Sequence, residues 1–290
     1  MQKTYPFGTG PVKWVSTEWL ADHLGEENLM ILDGQPNVHD YIQEHIPGAV
    51  YMNEGLLRVS INGMPTRYVP PEAMEGVIRR MGLKTELPTV VYTGTGPFKG
   101  WGDGLEQTML AYTLVRFGHD HVYVLDGGAD KWKAEGKPLT KEFPRTTTSD
   151  FNVRVRREFF LEYEEFKETK DGQNVILLDA RPPGVYQEQG PWIKPGHIPG
   201  AVNLPWASLM DENNKRLLKP DPQIQSILEQ HEIGPEKTII CSCGTGREAT
   251  NEFILFKWYL DFPLVKIYEG SFTEWTAYPD NPTVTGPNPR

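Results

Sequence analysis

An internal repeat constrains the fold of this chain more than any other feature. The hexapeptide His45–Val50 recurs letter for letter as His197–Val202. Further landmarks recur in the same order: Ile31–Asp33 with Leu177–Asp179, Gly94–Gly96 with Gly244–Gly246, and Leu125–Trp132 with Tyr268–Trp275. The repeat spans about half of the 290 residues, which is too long for a solenoid unit. The sequence therefore predicts two copies of one domain.

Short apolar runs alternate with helical patterns in both copies. The runs are Ile31–Leu32, Val90–Val91 and Val122–Leu125, then Val175–Leu178, Thr238–Ile240 and Val265–Tyr268. This alternation predicts an α/β fold in which each domain is a mainly parallel sheet flanked by helices on both faces. The polar, unpatterned stretch 141–154 reads as a linker, so we expect one domain over residues 12–140 and another over 155–285.

Both cysteines of the chain lie where a strand of the second copy should pass to a helix. Cys241 and Cys243 follow the apolar run Thr238–Ile240, and a helical pattern extends from Arg247 to Leu260. At such a junction, backbone N–H groups and the helix dipole surround a thiol with positive partial charge. We expect both effects to favour the thiolate, which is the nucleophile, and therefore expect a cysteine enzyme.

Composition excludes several other classes of protein. The net charge of −10 argues against a nucleic-acid partner, and no apolar run approaches the length needed to span a bilayer. A C-x-C pair cannot form a disulfide framework, and because no histidine lies near it in sequence we expect no metal and no other cofactor. The N-terminus lacks the apolar stretch of a secretory signal. We expect a cytoplasmic location, or a periplasmic one if a signal peptide has been removed.

Several motifs together resemble the tandem-domain rhodaneses, which are thiosulfate and 3-mercaptopyruvate sulfurtransferases. They are both His-Ile-Pro-Gly-Ala motifs, Asp179–Arg181, Cys243–Gly246 and Gly270–Trp275. The resemblance covers about residues 12 to 285 and implies that the second domain is catalytic and the first inactive. In the first copy the position of Cys243 is taken by Thr93 or by Gly94, depending on the alignment, and neither can carry a persulfide.

The resemblance also implies a mechanism of double displacement. Cys243 would take a sulfur atom from a small anionic donor, thiosulfate or 3-mercaptopyruvate, and pass it to a thiol or cyanide. The loop after Cys243 is expected to bind the substrate through its N–H groups, with tight turns at its two glycines. Its residues are Gly244, Thr245, Gly246, Arg247 and Glu248. If the thiolate is already formed, no general base is required.

Two other functions remain open. Cys241-x₅-Arg247 matches the phosphate loop of cysteine phosphatases and arsenate reductases, although Ile240 and Glu248 replace the His and the Ser or Thr that usually flank it. The third alternative is a non-catalytic sulfur carrier. Cys241 itself is either a small apolar residue at a strand end or a resolving thiol that attacks a persulfide on Cys243.

The choice of sulfur donor is open as well. Gly244 and Thr245 resemble the mercaptopyruvate-type loop, whereas Arg247 and Glu248 depart from it. Arg181 is a candidate anion clamp, with a structural pairing to Asp179 as the alternative.

Other residues are secondary candidates. Lys194 is the cation near the second His-Ile-Pro-Gly motif. His45 and His197 are expected to be structural because both copies have them, although His45 could also face the site. Trp192 is expected to line the entrance, and three further tryptophans to lie in the core, namely Trp206, Trp258 and Trp275. The glycine-rich stretch Pro97–Gly104 is a surface loop or a lid.

Overall fold

The computed structural model describes residues 3–98, 100 and 102–290. These residues form two compact units, and neither is one continuous stretch of chain. The first consists of the chain up to Val59 with Tyr68–Arg156 and Glu212–Leu218, and the second of Ser60–Arg67, Arg157–Asp211 and Lys219–Arg290. Ser60–Arg67 and Glu212–Leu218 each belong to the unit that is formed mainly by the other half of the chain. Each segment begins at the same distance after the His-Ile-Pro-Gly motif that precedes it, so the two segments are equivalent in the repeat. Our division into residues 12–140 and 155–285 around a linker stays a prediction.

The first half of the chain contributes seven strands among the described residues. They are β1 (Val12–Val15), β2 (Met30–Asp33), β3 (Val50–Tyr51), β4 (Arg58–Ile61), β5 (Met64–Tyr68), β6 (Thr89–Tyr92) and β7 (Val122–Leu125). A parallel sheet has the order β1-β7-β6-β2-β3, and β4 and β5 form a separate hairpin. The helices are α1 (Thr17–Asp22), α2 (Val38–Gln43), α3 (Pro71–Met81), α4 (Leu105–Arg116) and α5 (Gly128–Ala134).

The second half has five strands over its described residues. They are β8 (Phe160–Leu161), β9 (Val175–Asp179), β10 (Ala201–Asn203), β11 (Thr238–Ser242) and β12 (Val265–Tyr268), joined in parallel in the order β10-β9-β11-β12-β8. The helices are α6 (Tyr163–Thr169), α7 (Pro183–Gln187), α8 (Asp221–Gln230), α9 (Glu248–Ile254) and α10 (Ser271–Ala277). Read from β8, this strand order equals that of the first sheet, and the predicted duplication of an α/β domain is confirmed.

The central strands are buried along most of their length because helices flank the sheets. All four residues of β6 are buried, as are Ile239, Ile240 and Cys241 in β11. The tryptophans predicted to lie in the core are buried, at positions Trp206, Trp258 and Trp275. The helix predicted from Arg247 to Leu260 is divided, because α9 ends at Ile254 and a π-helical turn, Leu255–Tyr259, follows it.

The junction between β11 and α9 sets the position of the two cysteines. Cys241 is inside β11, where it pairs with Leu178 on one side and Ile267 on the other. Cys243 is the first residue after the strand, and α9 begins at Glu248. Cys243 therefore lies at the carboxyl edge of a parallel sheet, which is where open α/β sheets bind their ligands.

Candidate active site

The sulfur of Cys243 is enclosed by its own loop. The side chain is fully buried, and the backbone N–H of Gly246 donates to Sγ at 3.1 Å. Gly246 has φ of +80°, and a Cβ at this position would lie 2.5 Å from the carbonyl oxygen of Glu269. Glycine is therefore required at residue 246 both by backbone conformation and by space. This geometry agrees with the predicted tight turn that directs an N–H group at the thiol.

Gly244 is required for a different reason. Its φ is not positive, but a Cβ there would lie 2.4 Å from the indole ring of Trp192. The Trp192 Nε1–H donates to Thr273 Oγ1 at 2.8 Å, and the Thr273 hydroxyl donates to the carbonyl of Gly244 at 2.8 Å. The loop is thus held on one side by Trp192 and Thr273. The tight turn expected at Gly244 therefore does not use a positive φ.

Ser271, the first residue of α10, also holds Cys243. Its Oγ accepts the backbone N–H of Cys243 at 3.1 Å, donates to the Tyr268 carbonyl at 2.9 Å and lies 3.9 Å from Sγ. Ser271 has φ of +50°, a conformation that costs a residue other than glycine about 1 kcal/mol. Ser271 is a site residue that was not predicted from the sequence. The sequence offered one signal, which is the glycine at the equivalent position of the first copy, Gly128; this glycine has φ of +57°.

The pKa of the Cys243 thiol is raised well above its ordinary range, which corrects the expected thiolate. Burial is the largest cause, and the second is Glu248, through its charge and a hydrogen bond that favours the protonated thiol. The backbone N–H of Ala249 has the opposite effect but does not prevail. Burial and the Glu248 carboxylate therefore oppose the loop amides and the helix end at this thiol.

Burial also raises the pKa of Cys241 well above its ordinary range, with the nearby Glu252 as the next cause. Cys241 is fully buried inside β11 and is not part of the loop that encloses Cys243. This position matches the interpretation of Cys241 as a small apolar residue at a strand end. It gives no support to a phosphate loop that would begin at residue 241.

Arg181 is held in a buried pair with Asp179. Its side chain is 1% exposed and binds Asp179 through two nitrogens, with Nε 2.9 Å from Oδ1 and Nη2 2.6 Å from Oδ2. Nη2 also donates to the carbonyl of Gly196 at 3.0 Å, and the guanidinium lies against the rings of Trp192 and Phe272. The structural alternative fits this geometry, and substrate binding by Arg181 stays a prediction.

The side chains of Lys194, His45 and His197 all contact backbone carbonyl groups. Lys194 Nζ donates to the carbonyls of Pro279 and Asn281, both at 2.5 Å. The ring nitrogens of His45 lie 2.7 and 3.2 Å from the carbonyl oxygens of residues 41 and 142 within the first unit. The ring of His197 faces carbonyls of residues 186 and 288 in the same way. These contacts agree with a structural role for both histidines, and substrate binding by Lys194 or His45 stays a prediction.

The remaining candidates lie around the sulfur. Thr245 and Arg247 are partly exposed on the loop, and Arg247 immediately precedes α9. Glu248 is the first residue of α9 and is partly buried. Its Oε2 atom is fully buried and has no hydrogen-bond partner among the described residues. The structure therefore brings Gly244, Gly246 and Glu248 to Cys243, and adds the three residues Trp192, Ser271 and Thr273.

The carboxyl edge of the parallel sheet in the first unit has no cysteine, because both cysteines belong to the second copy. The Ala129 N–H donates to the carbonyl of Thr93 at 2.8 Å, just as the Phe272 N–H donates to that of Cys243 at 3.0 Å. Because Ala129 and Phe272 correspond in the repeat, Thr93 is the counterpart of Cys243. The 6%-exposed Arg216 lies at this edge, with Nη2 donating to the carbonyl of Gly102 at 2.5 Å.

The lid alternative for Pro97–Gly104 stays a hypothesis. Lys99 and Trp101 lie outside the described residues. The described part includes Phe98, whose backbone N–H donates to Asp40 Oδ1 at 2.7 Å within the first unit. In the part of the chain that the structure describes, no helix is both long enough and apolar enough to cross a membrane.

Comparison with known proteins agrees with this geometry. A family model of the rhodanese-like domain matches residues 16–135 and 162–278. The chain belongs to the rhodanese-like family. A Synechococcus elongatus relative, provisionally named a thiosulfate sulfurtransferase, is 35% identical over 96% of this chain and 86% of its own.

Two further similarities are informative. The sulfur carrier protein TtuD of Thermus thermophilus is 28% identical over 91% of this chain and 94% of its own. The crystal structure of the 3-mercaptopyruvate sulfotransferase SseA from Escherichia coli matches with a TM-score of 0.78 and 26% identity. That match covers 89% of this chain and 98% of SseA, so the similarity extends over both domains.

Proposed function

We propose that this chain is a sulfurtransferase that moves a sulfane sulfur from thiosulfate or 3-mercaptopyruvate to a thiol or cyanide through a persulfide on Cys243. The observation that carries the proposal is the enclosure of the Cys243 sulfur by its loop, with the Gly246 N–H donating to Sγ at 3.1 Å. A persulfide is anionic at neutral pH, and fixed N–H groups in a buried site stabilise such a charge. The sulfurtransferase relatives support the same reaction class.

The chemistry takes two displacement steps. The Cys243 sulfur attacks the outer sulfur of the donor and a new S–S bond forms. With thiosulfate the old S–S bond breaks and sulfite leaves with the electron pair, whereas with 3-mercaptopyruvate the C–S bond breaks and pyruvate forms after its enolate takes a proton. A thiolate or cyanide then attacks the outer sulfur of the persulfide and releases the Cys243 thiolate.

The structure argues against the phosphatase alternative. A phosphate loop that starts at Cys241 needs its sulfur at the mouth of the loop, but Cys241 is paired on both sides within β11. The cradle of backbone N–H groups starts after Cys243 instead. The name of the Thermus relative favours the carrier alternative, which differs from the enzyme only in its acceptor step.

Intact mass spectrometry tests the proposal. The reduced protein is incubated with thiosulfate or 3-mercaptopyruvate and weighed, with Cys243→Ser as the test variant and Cys241→Ser as the matched control. We expect the wild type and Cys241→Ser to gain one sulfur atom and Cys243→Ser to gain none. Loss of the added sulfur on addition of cyanide or a small thiol, with turnover, supports the enzyme.

Other outcomes point to the alternatives. A persulfide that no small acceptor removes would support the carrier. Hydrolysis of aryl phosphates that is lost in Cys241→Ser would overturn the proposal in favour of a phosphatase.

A further inference from the structure

Glu248 is the ionisable residue with the strongest effect on Cys243. It stands five positions after the cysteine, on the first turn of α9, and its carboxylate beside the thiol is the cause next to burial that raises the pKa of Cys243. Its Oε2 atom is buried, and no described residue donates a hydrogen bond to it. A buried carboxylate oxygen that accepts no hydrogen bond is unfavourable, so this oxygen is an acceptor available beside the Cys243 thiol.

Building on the proposed sulfur transfer, we propose that Glu248 is the general base that accepts the thiol proton of Cys243 when the donor is attacked. In this step the S–H bond breaks, an O–H bond forms on the Glu248 carboxylate, and the electron pair left on Sγ forms the bond to the outer sulfur of the donor. With thiosulfate, the S–S bond of the donor breaks and sulfite leaves with its electron pair. No further reactant is needed.

The charges of the site favour this transfer. As the proton moves, negative charge leaves the carboxylate and reaches Sγ, where the N–H groups of Gly246 and Ala249 can stabilise it. Protonation also neutralises Glu248, so the carboxylate no longer repels an anionic donor.

The other acidic groups around the sulfur are less suited to accept the proton. Asp179, from β9, is held in the buried pair with Arg181. Glu252, one turn after Glu248 on α9, is fully buried, and burial raises its pKa well above the ordinary range, which favours its protonated form. Neighbouring elements contribute further ionisable groups, namely Cys241 in β11, Arg247 before α9, and Glu269 and Glu274 after β12.

The variant Glu248→Gln distinguishes two roles for Glu248, namely a general base and a carboxylate that acts on Cys243 only through charge repulsion. Its two readouts are the pH dependence of Cys243 alkylation by iodoacetamide and the single-turnover rate of persulfide formation with thiosulfate at pH 7. Removal of the charge should lower the pH at which Cys243 is alkylated. Loss of the base should nevertheless slow persulfide formation about 100-fold. Glu229→Gln, on the exposed face of α8, should change neither readout.

Glu248→Ala provides a second, independent measurement. Formate should restore its persulfide formation in proportion to concentration, because a free carboxylate can occupy the place of the missing base. Glu248→Gln that forms the persulfide as fast as the wild type, or faster, would overturn the proposal, as would a Glu248→Ala protein that formate does not restore. A wild-type protein that forms no persulfide at all would instead overturn the proposed function.

Discussion

The Ser271 hydroxyl accepts the backbone N–H of Cys243 at 3.1 Å while Ser271 itself holds a left-handed backbone conformation, with φ of +50°. The equivalent turn of the first copy has the same conformation at Gly128, where it is not strained. The domain with the cysteine thus keeps a strained serine where the domain without it has glycine. Strain of this kind persists where surrounding structure or function requires it.

Substitution of Ser271 should separate activity from stability. Ser271→Gly removes the hydroxyl and relieves the backbone, so we expect persulfide formation to slow about fivefold, while the relief of about 1 kcal/mol of strain offsets part of the stability lost with the hydroxyl. Ser271→Ala should lose the same activity and have a free energy of unfolding about 1 kcal/mol below that of Ser271→Gly. Single-turnover kinetics and urea unfolding measure the two effects, with Ser226→Ala on α8 as the control. Equal activity in all four proteins would show that the hydroxyl has no role.

The contact between Trp192 and Gly244 predicts a paired effect of two substitutions. Gly244→Ala places a methyl group 2.4 Å from the present position of the indole ring, so the loop must move. A shift of this size near the nucleophile should lower kcat/KM about 100-fold. Trp192→Phe shortens the ring, and the double variant should recover part of the loss relative to Gly244→Ala. A double variant no more active than Gly244→Ala alone would contradict steric conflict with Trp192 as the cause.

The buried pair of Arg181 and Asp179 predicts a loss of stability rather than of substrate affinity. Arg181→Gln leaves the Asp179 carboxylate buried without its cation, which should lower the free energy of unfolding by about 3–5 kcal/mol. For the protein that stays folded at low temperature, we expect the KM for the donor to be unchanged. Urea unfolding and steady-state kinetics check the two parts. A raised KM with unchanged stability would instead support a role for Arg181 in binding the anionic donor.

Glu252 should make the stability of the protein depend on pH. Burial raises its folded-state pKa well above that of the unfolded chain, so its contribution is fully present below the unfolded pKa and is lost as pH rises. Glu252→Gln removes this dependence. The melting temperature of the variant should therefore exceed that of the wild type by an amount that grows between pH 4 and pH 8. A difference that is constant with pH would show that Glu252 titrates as it does in the unfolded chain.

Much of the fold could be predicted from the sequence because it depends on local patterns and their repetition. The alternation of buried runs such as Val90–Val91 and Thr238–Ile240 with helical segments determines a parallel α/β sheet. The repeated His-Ile-Pro-Gly motifs determine that there are two such domains. The position of Cys243 after a strand of the second copy follows from the same patterns, because a strand end and a helix start are encoded close to it.

The state of the site was decided by tertiary structure alone. Whether Cys243 holds its proton depends on complete burial and on the Glu248 carboxylate, and whether Arg181 meets a ligand depends on Asp179, Trp192 and Phe272. Desolvation and Coulomb interactions act through space and fall off within a few ångströms, so a one-dimensional pattern does not encode them. The sequence by itself thus determined the duplicated domain and the position of the nucleophile. Only packing around Cys243 decided which residues hold it and which groups act on its pKa, and only packing brought Arg181 to Asp179 and Lys194 to the carbonyls of Pro279 and Asn281.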